Sequence, residues 1–289
     1  MASLRDIRKR IRTVKNTQKI TKAMKMVSAA KLRRSQERVE AARPFADKIH
    51  ETVSALARRA HDLGEAPNPL LAERENPRRI ELIVMTSDRG LCGGFNSNTA
   101  RRALRFLFDN KGSYDEIRVS TIGKKGYEAL MRERVNIRQN YEGVFDRLTF
   151  ARAKEIAEEA CQAYVEDELD GVYLLYNEFV NAATQRLSLV QLLPVVPLDV
   201  SDDLVDYDYE PSRGELLDAL LPRHFATQLY RALLESVASE HGARMSAMDS
   251  ASKNAKDVVD RLTLAYNRAR QAAITKELME IISGAEALK

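Results

Sequence analysis

The sequence predicts an α/β protein: a central sheet domain with one long helix before it and another after it. Three observations predict this. Residues 3–59 contain no Gly and a single Pro, Pro44, and their apolar residues recur at helical spacing. Between residues 80 and 194 short β-branched runs alternate with helical patterns, the mark of a mostly parallel sheet. From about Gly214 to Ser283 the pattern is helical again, interrupted only by Pro222 and Gly242. With 289 residues, 30% charged and 44% hydrophobic, the chain is neither collagen-like nor disordered. Aromatics make up 6% and Trp is absent, so the core is expected to be aliphatic.

The first helix, over residues 1–60, is read from Leu4, Ile7, Ile11 and Val14, which step by three and four. After a slip, Ile20, Met24 and Val27 are expected to continue the stripe, and Ser3 to cap the start. Residues 62–79 carry one Gly and three Pro and form a loop.

The central domain spans 79–194. Residues 80–86 (IELIVMT) read as a buried strand, followed by the Gly-rich turn SDRGLCGGFNSN and a helix over 97–110. EIRVSTI (116–122) is a second strand, KKGYEALMR opens a second helix, and VNIRQ (135–139) is a short third strand. A helix over 148–167 precedes strands at 171–177 and 184–194. These strands and helices make a three-layer, Rossmann-like α/β domain.

The last helix spans 212–287, with Pro222 marking the effective start of its long part. Its stripe of Met248, Ala251, Ala255, Val258, Leu262, Ala265, Ala269 and Ala272 is a heptad seam. Both long helices leave the same domain, so pairing makes them an antiparallel coiled coil. The last helix is the longer. Ile274, Leu278, Ile281 and Ile282 therefore line an overhang with no intramolecular partner, which marks a docking tip.

Charge is unevenly placed. Residues 1–40 hold thirteen basic against three acidic residues, and residues 199–218 hold eight acidic against one basic. Arg5, Arg8, Arg12, Lys15, Lys19 and Lys22 form a rail beside the apolar stripe. The rail admits three readings: flanking charge of a coiled coil, a nucleic-acid contact, or a contact to an acidic protein surface. No aromatic residue lies before Phe45, which disfavours single-strand binding.

Catalytic chemistry finds little support. The turn at 87–96 lacks GxGxxG and GxxxxGK[ST], and its glycines suit a tight turn and close helix–strand packing. No HExxH or GxSxG occurs, and the four His are scattered. Asp202 and Asp203 lie in an acidic connector without a calcium-loop Gly. Cys92 and Cys161 are too far apart for a zinc pair and read as packed thiols in a reducing compartment. No apolar run reaches membrane-spanning length, and the N-terminus lacks a secretory apolar core.

Three segments carry a family resemblance: IRTVKNTQKITKAMKMVSAAKLRRSQ (11–36), TSDRGLCGGFN (86–96) and ARMSAMDSASKNAKDVVDRLTLAYNRARQAAITKELMEIISGAEAL (243–288). Together they closely resemble the gamma subunit of F-type ATP synthase, in order and across essentially the whole chain. The resemblance implies a central rotor shaft inside a ring of three alpha and three beta subunits, seated on the c ring beside epsilon. Proton flow through the c ring turns the shaft, whose asymmetry drives the beta sites through their states. It implies no catalytic residue, cofactor or metal in this chain and no nucleic-acid partner. Beta-subunit contacts are expected at Lys22, Met24, Lys25, Arg270, Gln271, Thr275 and Glu277. Ile281 and Ile282 are expected in an apolar sleeve, and Tyr207, Asp208, Tyr209 and Glu210 at the c ring and epsilon. Photosynthetic members carry a regulatory cysteine pair that this chain lacks, so thiol control is not expected. The implied location is the cytoplasmic side of a bacterial plasma (inner) membrane, peripheral to it.

Overall fold

The computed structural model describes residues 3–63, 68–198, 210 and 212–287, with side chains through residue 283. The chain forms two compact units, one of residues 1–28 with 245–289 and one of residues 29–244. Helices α1 (Leu4–Asp62) and α5 (Arg213–Ala287) contribute to both.

Local chemistry explains where these helices begin. The Asp6 amide donates to Ser3 Oγ at 3.2 Å, and the Asp6 carboxylate accepts from the Ser3 amide at 3.3 Å. This reciprocal cap satisfies amides that the first turn leaves open. Ser212 Oγ likewise accepts from the Glu215 amide at 3.3 Å. Pro222 does not start α5; the helix begins nine residues earlier and runs through it. Leu217, Leu221 and Phe225 around it are 3%, 0% and 1% exposed. Burying three such side chains contributes about 5–9 kcal/mol, more than the ~3 kcal/mol that an interior proline costs.

The larger unit holds a five-stranded sheet of order β3-β2-β1-β4-β5. Strands β1 (Arg79–Met85), β2 (Glu116–Ile122), β3 (Ile137–Tyr141) and β4 (Gly171–Phe179) run parallel, and β5 (Gln185–Leu193) pairs antiparallel with β4. Helices α2 (Phe95–Asp109) and α3 (Lys124–Arg132) cover one face. There Ala103, Phe106 and Leu130 pack on Ile80, Leu82, Val84 and Val119. Helix α4 (Phe150–Val165) lies on the other face, where Tyr141 Oη donates to Glu159 at 2.5 Å. The central β1 is buried at Ile80 through Met85, as a parallel strand covered on both sides should be. The third strand starts at Ile137 rather than Val135. Arg134 takes φ 59° and the Val135 amide still donates to the Leu130 carbonyl at 3.1 Å, so Val135 closes α3.

Within this unit α1 and α5 run antiparallel. Arg43 meets Glu235 at 3.2 Å, Asp47 meets Arg231 at 2.6 Å, and His50 meets His224 at 3.0 Å, so numbers rise on one helix as they fall on the other. Val39, Ala46 and Val53 of α1 and Leu221, Leu229 and Leu233 of α5 are buried here.

Candidate functional site

The smaller unit is a bare pair of helices, and its seam can be read residue by residue. Arg8 Nη2 donates to Tyr266 Oη at 2.6 Å, and Lys25 Nζ lies 2.6 Å from Asp249 Oδ1. The pairing is antiparallel here too.

On α1 the inward positions are Leu4, Ile7, Ile11, Val14, Gln18, Thr21, Lys25 and Ser28, with no slip, and Met24 is half-buried beside Lys25. The expected switch to Ile20 and Val27 does not occur. Thr21 and Ser28 are buried at 9% and 3% exposure, while Ile20 and Val27 stand 59% and 56% exposed. A seam that keeps its three-four spacing lets every turn face the partner; a slip would rotate it away. Continuity outweighs the better burial of two aliphatic residues.

On α5 three of the eight expected seam residues are displaced by one residue, while Ala251 stays half-buried. Met248, Ala255, Leu262 and Ala269 face inward, but Val259, Tyr266 and Ala273 replace Val258, Ala265 and Ala272 as the more buried member of each pair. Val259 and Tyr266 sit where the alternative frame offers Val258 and Ala265. Tyr266 covers more apolar area than Ala265, and its hydroxyl reaches Arg8.

The candidate site residues fall into two groups. Met24 is half-buried in the seam, Lys22 is exposed, and Lys25 is engaged by Asp249, itself bridged by Lys253 at 2.9 Å. The two ammonium groups hold the Asp249 carboxyl below its usual range. Arg270, Gln271, Thr275 and Glu277 are exposed on α5. The structure does not bring the groups together. Lys25 lies opposite Asp249, 21 residues before Arg270, or about 30 Å along the helix.

Among the described residues, the Arg8–Tyr266 hydrogen bond is the last between α1 and α5 toward the start of α1. Beyond it, Ile274, Leu278, Ile281 and Ile282 are 48%, 54%, 68% and 54% exposed. Every residue of the basic rail is exposed as well. Sequence reasoning missed Ile20, Met26 and Val27 as outward apolar residues, with Met26 61% exposed. The unbroken three-four spacing from Leu4 was the signal that could have found them. Tyr207, Asp208 and Tyr209 lie outside the described residues, and Glu210 is exposed.

The larger unit offers a second place where chemistry could sit: the carboxyl ends of β1 and β4, where the strand order reverses. The groups that would face a phosphate there are already used. The Ser87 amide donates to Asn96 Oδ1 at 2.9 Å, and Asp88 Oδ1 accepts from the Lys124 and Gly143 amides at 3.1 and 3.3 Å. Arg244 donates to the Gly90 carbonyl at 3.2 Å and to Glu240 at 2.5 Å, fastening this loop to α5. Burial pushes the Glu240 carboxyl up. Gly123 and Gly126 serve close packing. A Cβ on Gly123 would lie 2.1 Å from the Thr86 carbonyl, and the Gly126 amide donates to Thr86 Oγ1 at 2.7 Å.

Cys92 is 2% exposed and accepts from Asn96 Nδ2 at 3.2 Å; burial raises its thiol. Burial pushes Cys161 up to about 12. Both are protonated, packed side chains. Among the described residues no cluster of three or more His, Cys, Asp or Glu is placed to hold a metal ion, and no helix is long and apolar enough to cross a membrane.

Comparison with known proteins agrees with this architecture. The family described as ATP synthase (ATP-synt) matches residues 3–288. The ATP synthase gamma chain of Geobacter metallireducens is 55% identical over all of both chains, and that of Anaeromyxobacter sp. (strain Fw109-5) is 54% identical over the same extent. Among solved structures, a chain of the Tetrahymena thermophila mitochondrial ATP synthase central stalk and c-ring is 28% identical. It superposes with a TM-score of 0.63 over 81% of this chain and 99% of that one. A chain of the Euglena gracilis mitochondrial ATP synthase shares the fold with a TM-score of 0.70 at 20% identity, over 99% and 94% of the two chains. The chain belongs to the ATP synthase gamma chain family.

Proposed function

We propose that this chain is the central rotor shaft of a bacterial F-type ATP synthase, coupling proton-driven rotation of the c ring to ATP synthesis at the beta-subunit sites, or hydrolysis to the reverse rotation. One observation carries the reading: a two-helix unit whose longer helix continues past its last anchor with exposed Ile274, Leu278, Ile281 and Ile282. A monomer gains nothing from such a strip, whereas an apolar sleeve would bury it. Apolar contacts are non-directional, so a tip held by them can turn.

The chain itself does no chemistry on this reading. Its phosphate-sized loop is closed by its own side chains, and catalysis belongs to the beta subunits. Lys22 and the exposed edge of Met24 would face acidic beta loops. Lys25 contributes through the field it shares with Asp249. Arg270, Gln271, Thr275 and Glu277 would hydrogen-bond to catalytic subunits, with Ile281 and Ile282 in the sleeve. The segment with Tyr207, Asp208, Tyr209 and Glu210 would meet the c ring and epsilon. The working location is the cytoplasmic face of the bacterial plasma membrane, held there through the complex.

The test is a gentle affinity purification of a tagged copy from solubilised native membranes, with the mass and ATPase activity of the product measured. Three alpha and three beta copies per copy of this chain, with ATP hydrolysis, is the expected result. Recovery of the chain alone, from membranes that retain active ATP synthase, contradicts the proposal.

A further inference from the structure

His50 on α1 and His224 on α5 face each other within the larger unit, ring centroids 4.9 Å apart and planes 21° from parallel. His50 Nδ1 lies 3.0 Å from His224 Nε2. Their tautomers follow from a third residue. Gln228 Nε2 lies 3.1 Å from the Ala46 carbonyl, which can only accept, so that atom is the amide nitrogen. The same nitrogen is 3.4 Å from His224 Nε2, a contact that suits a lone pair on that atom and opposes an N–H there. In that arrangement His50 carries its proton on Nδ1 and donates, while His224 carries its proton on Nδ1, a buried atom without a partner among the described residues.

This wiring makes the two protonation steps unequal. A first added proton goes to Nε2 of the half-buried His50 and leaves the N–H···N bond intact. A second must go to His224 Nε2, the acceptor of that bond, and puts donors on both sides of the contact. His224 is 4% exposed, so its charged form also loses hydration. We propose that the His50–His224 contact is an acid-released latch between α1 and α5, closed while the pair holds at most one extra proton and opened by the second.

Among the described residues, the surroundings supply no counter-charge to His224. From α1, Asp47 and Glu51 favour a charge on His50; from α5, Arg231 opposes it, and Arg231 is already bound to Asp47 at 2.6 Å. Arg223, the chain neighbour of His224, lies over the Phe45 ring instead. From β5 and the segment after it come Val190, Gln191, Leu192, Val195 and Val196, none of which titrates. Burial accordingly lowers His50, and pushes His224 down to about 4. Local opening of this turn takes up protons and is favoured by acid. The titration is a property of the chain; that acid softens torque transmission follows from it only on the rotor reading.

The test is hydrogen–deuterium exchange on the purified complex carrying the full chain, between pH 7 and pH 5, corrected for intrinsic exchange. Peptides covering 46–54 and 221–228 are compared with β1 in the same molecule. With a second proton site moving from about 6.5 to about 4 on closure, opening should rise on the order of tenfold over that range. His224→Gln should remove the rise, and His50→Gln should reduce it. Unchanged relative protection in the unsubstituted chain overturns the latch. So does an equal rise in the substituted chains. If His224→Gln does not assemble, His50→Gln, which leaves the α5 seam intact, decides by the same criterion.

Discussion

Arg8 donates a 2.6 Å hydrogen bond to the hydroxyl of Tyr266 and lies 5.5 Å from the centre of its ring. One side chain thus holds the first turns of α1 against α5 by a hydrogen bond and a cation–π contact at once. Tyr266→Phe keeps the ring and loses the bond. It should weaken the pair by about 0.5–1.5 kcal/mol, read as faster amide exchange over residues 4–14 with β1 unchanged.

The seam and the outer face of α1 should respond oppositely to substitution. Thr21 is buried although, among the described residues, its hydroxyl bonds only to the Gln18 carbonyl on its own helix, at 3.1 Å. Thr21→Val keeps the shape and removes the hydroxyl, and should raise thermal stability by about 0.5–1 kcal/mol. Ile20→Ser with Val27→Ser touches no seam contact. It should change stability by less than about 0.5 kcal/mol per site and lower ATP-driven proton pumping of the assembled complex. A double variant that pumps normally would show that this outer face meets nothing.

Gly123 is the least substitutable glycine described. It holds φ 97° and would place a Cβ 2.1 Å from the Thr86 carbonyl. Gly123→Ala should cost about 3 kcal/mol, a strained φ combined with backbone overpacking, measurable as a lower denaturation midpoint.

Acid should destabilise the larger unit in a defined window. Burial pushes His224 and His241 down to about 4 from 6.5. Between those values the unfolded chain binds protons that the folded chain does not. Stability is therefore full above about pH 6.5 and falls as pH drops toward 4. For His224, 4% exposed, the loss is on the order of 3 kcal/mol across that window. Glu240, raised by burial, works the other way near its own titration. His224→Gln should flatten the acid side of the stability–pH curve. An unchanged curve would show that His224 is not held neutral by burial.

The sheet, both long helices and the antiparallel pairing are legible in sequence because each rests on a local period. Ile80, Leu82 and Val84 alternate onto one face, and Leu4, Ile7, Ile11 and Val14 step along one stripe. The seam frame is less legible because several turns offer two apolar candidates. At Val258 and Val259 composition cannot choose, and at Ala265 and Tyr266 the choice depends on an Arg8 that lies 258 residues away in sequence. Thr21 and Ser28 are not legible as seam residues because short hydroxyl side chains carry no apolar period. The His50–His224 pair was invisible because nothing local joins positions 174 residues apart.

A rotor shaft must rotate against the catalytic subunits. The most direct measurement fixes the alpha–beta ring to a surface and attaches a probe to this chain, then follows the probe as ATP is added. One-directional turning in thirds of a revolution, one for each beta site, is the expected result. A probe that stays fixed while the same particles hydrolyse ATP would contradict it.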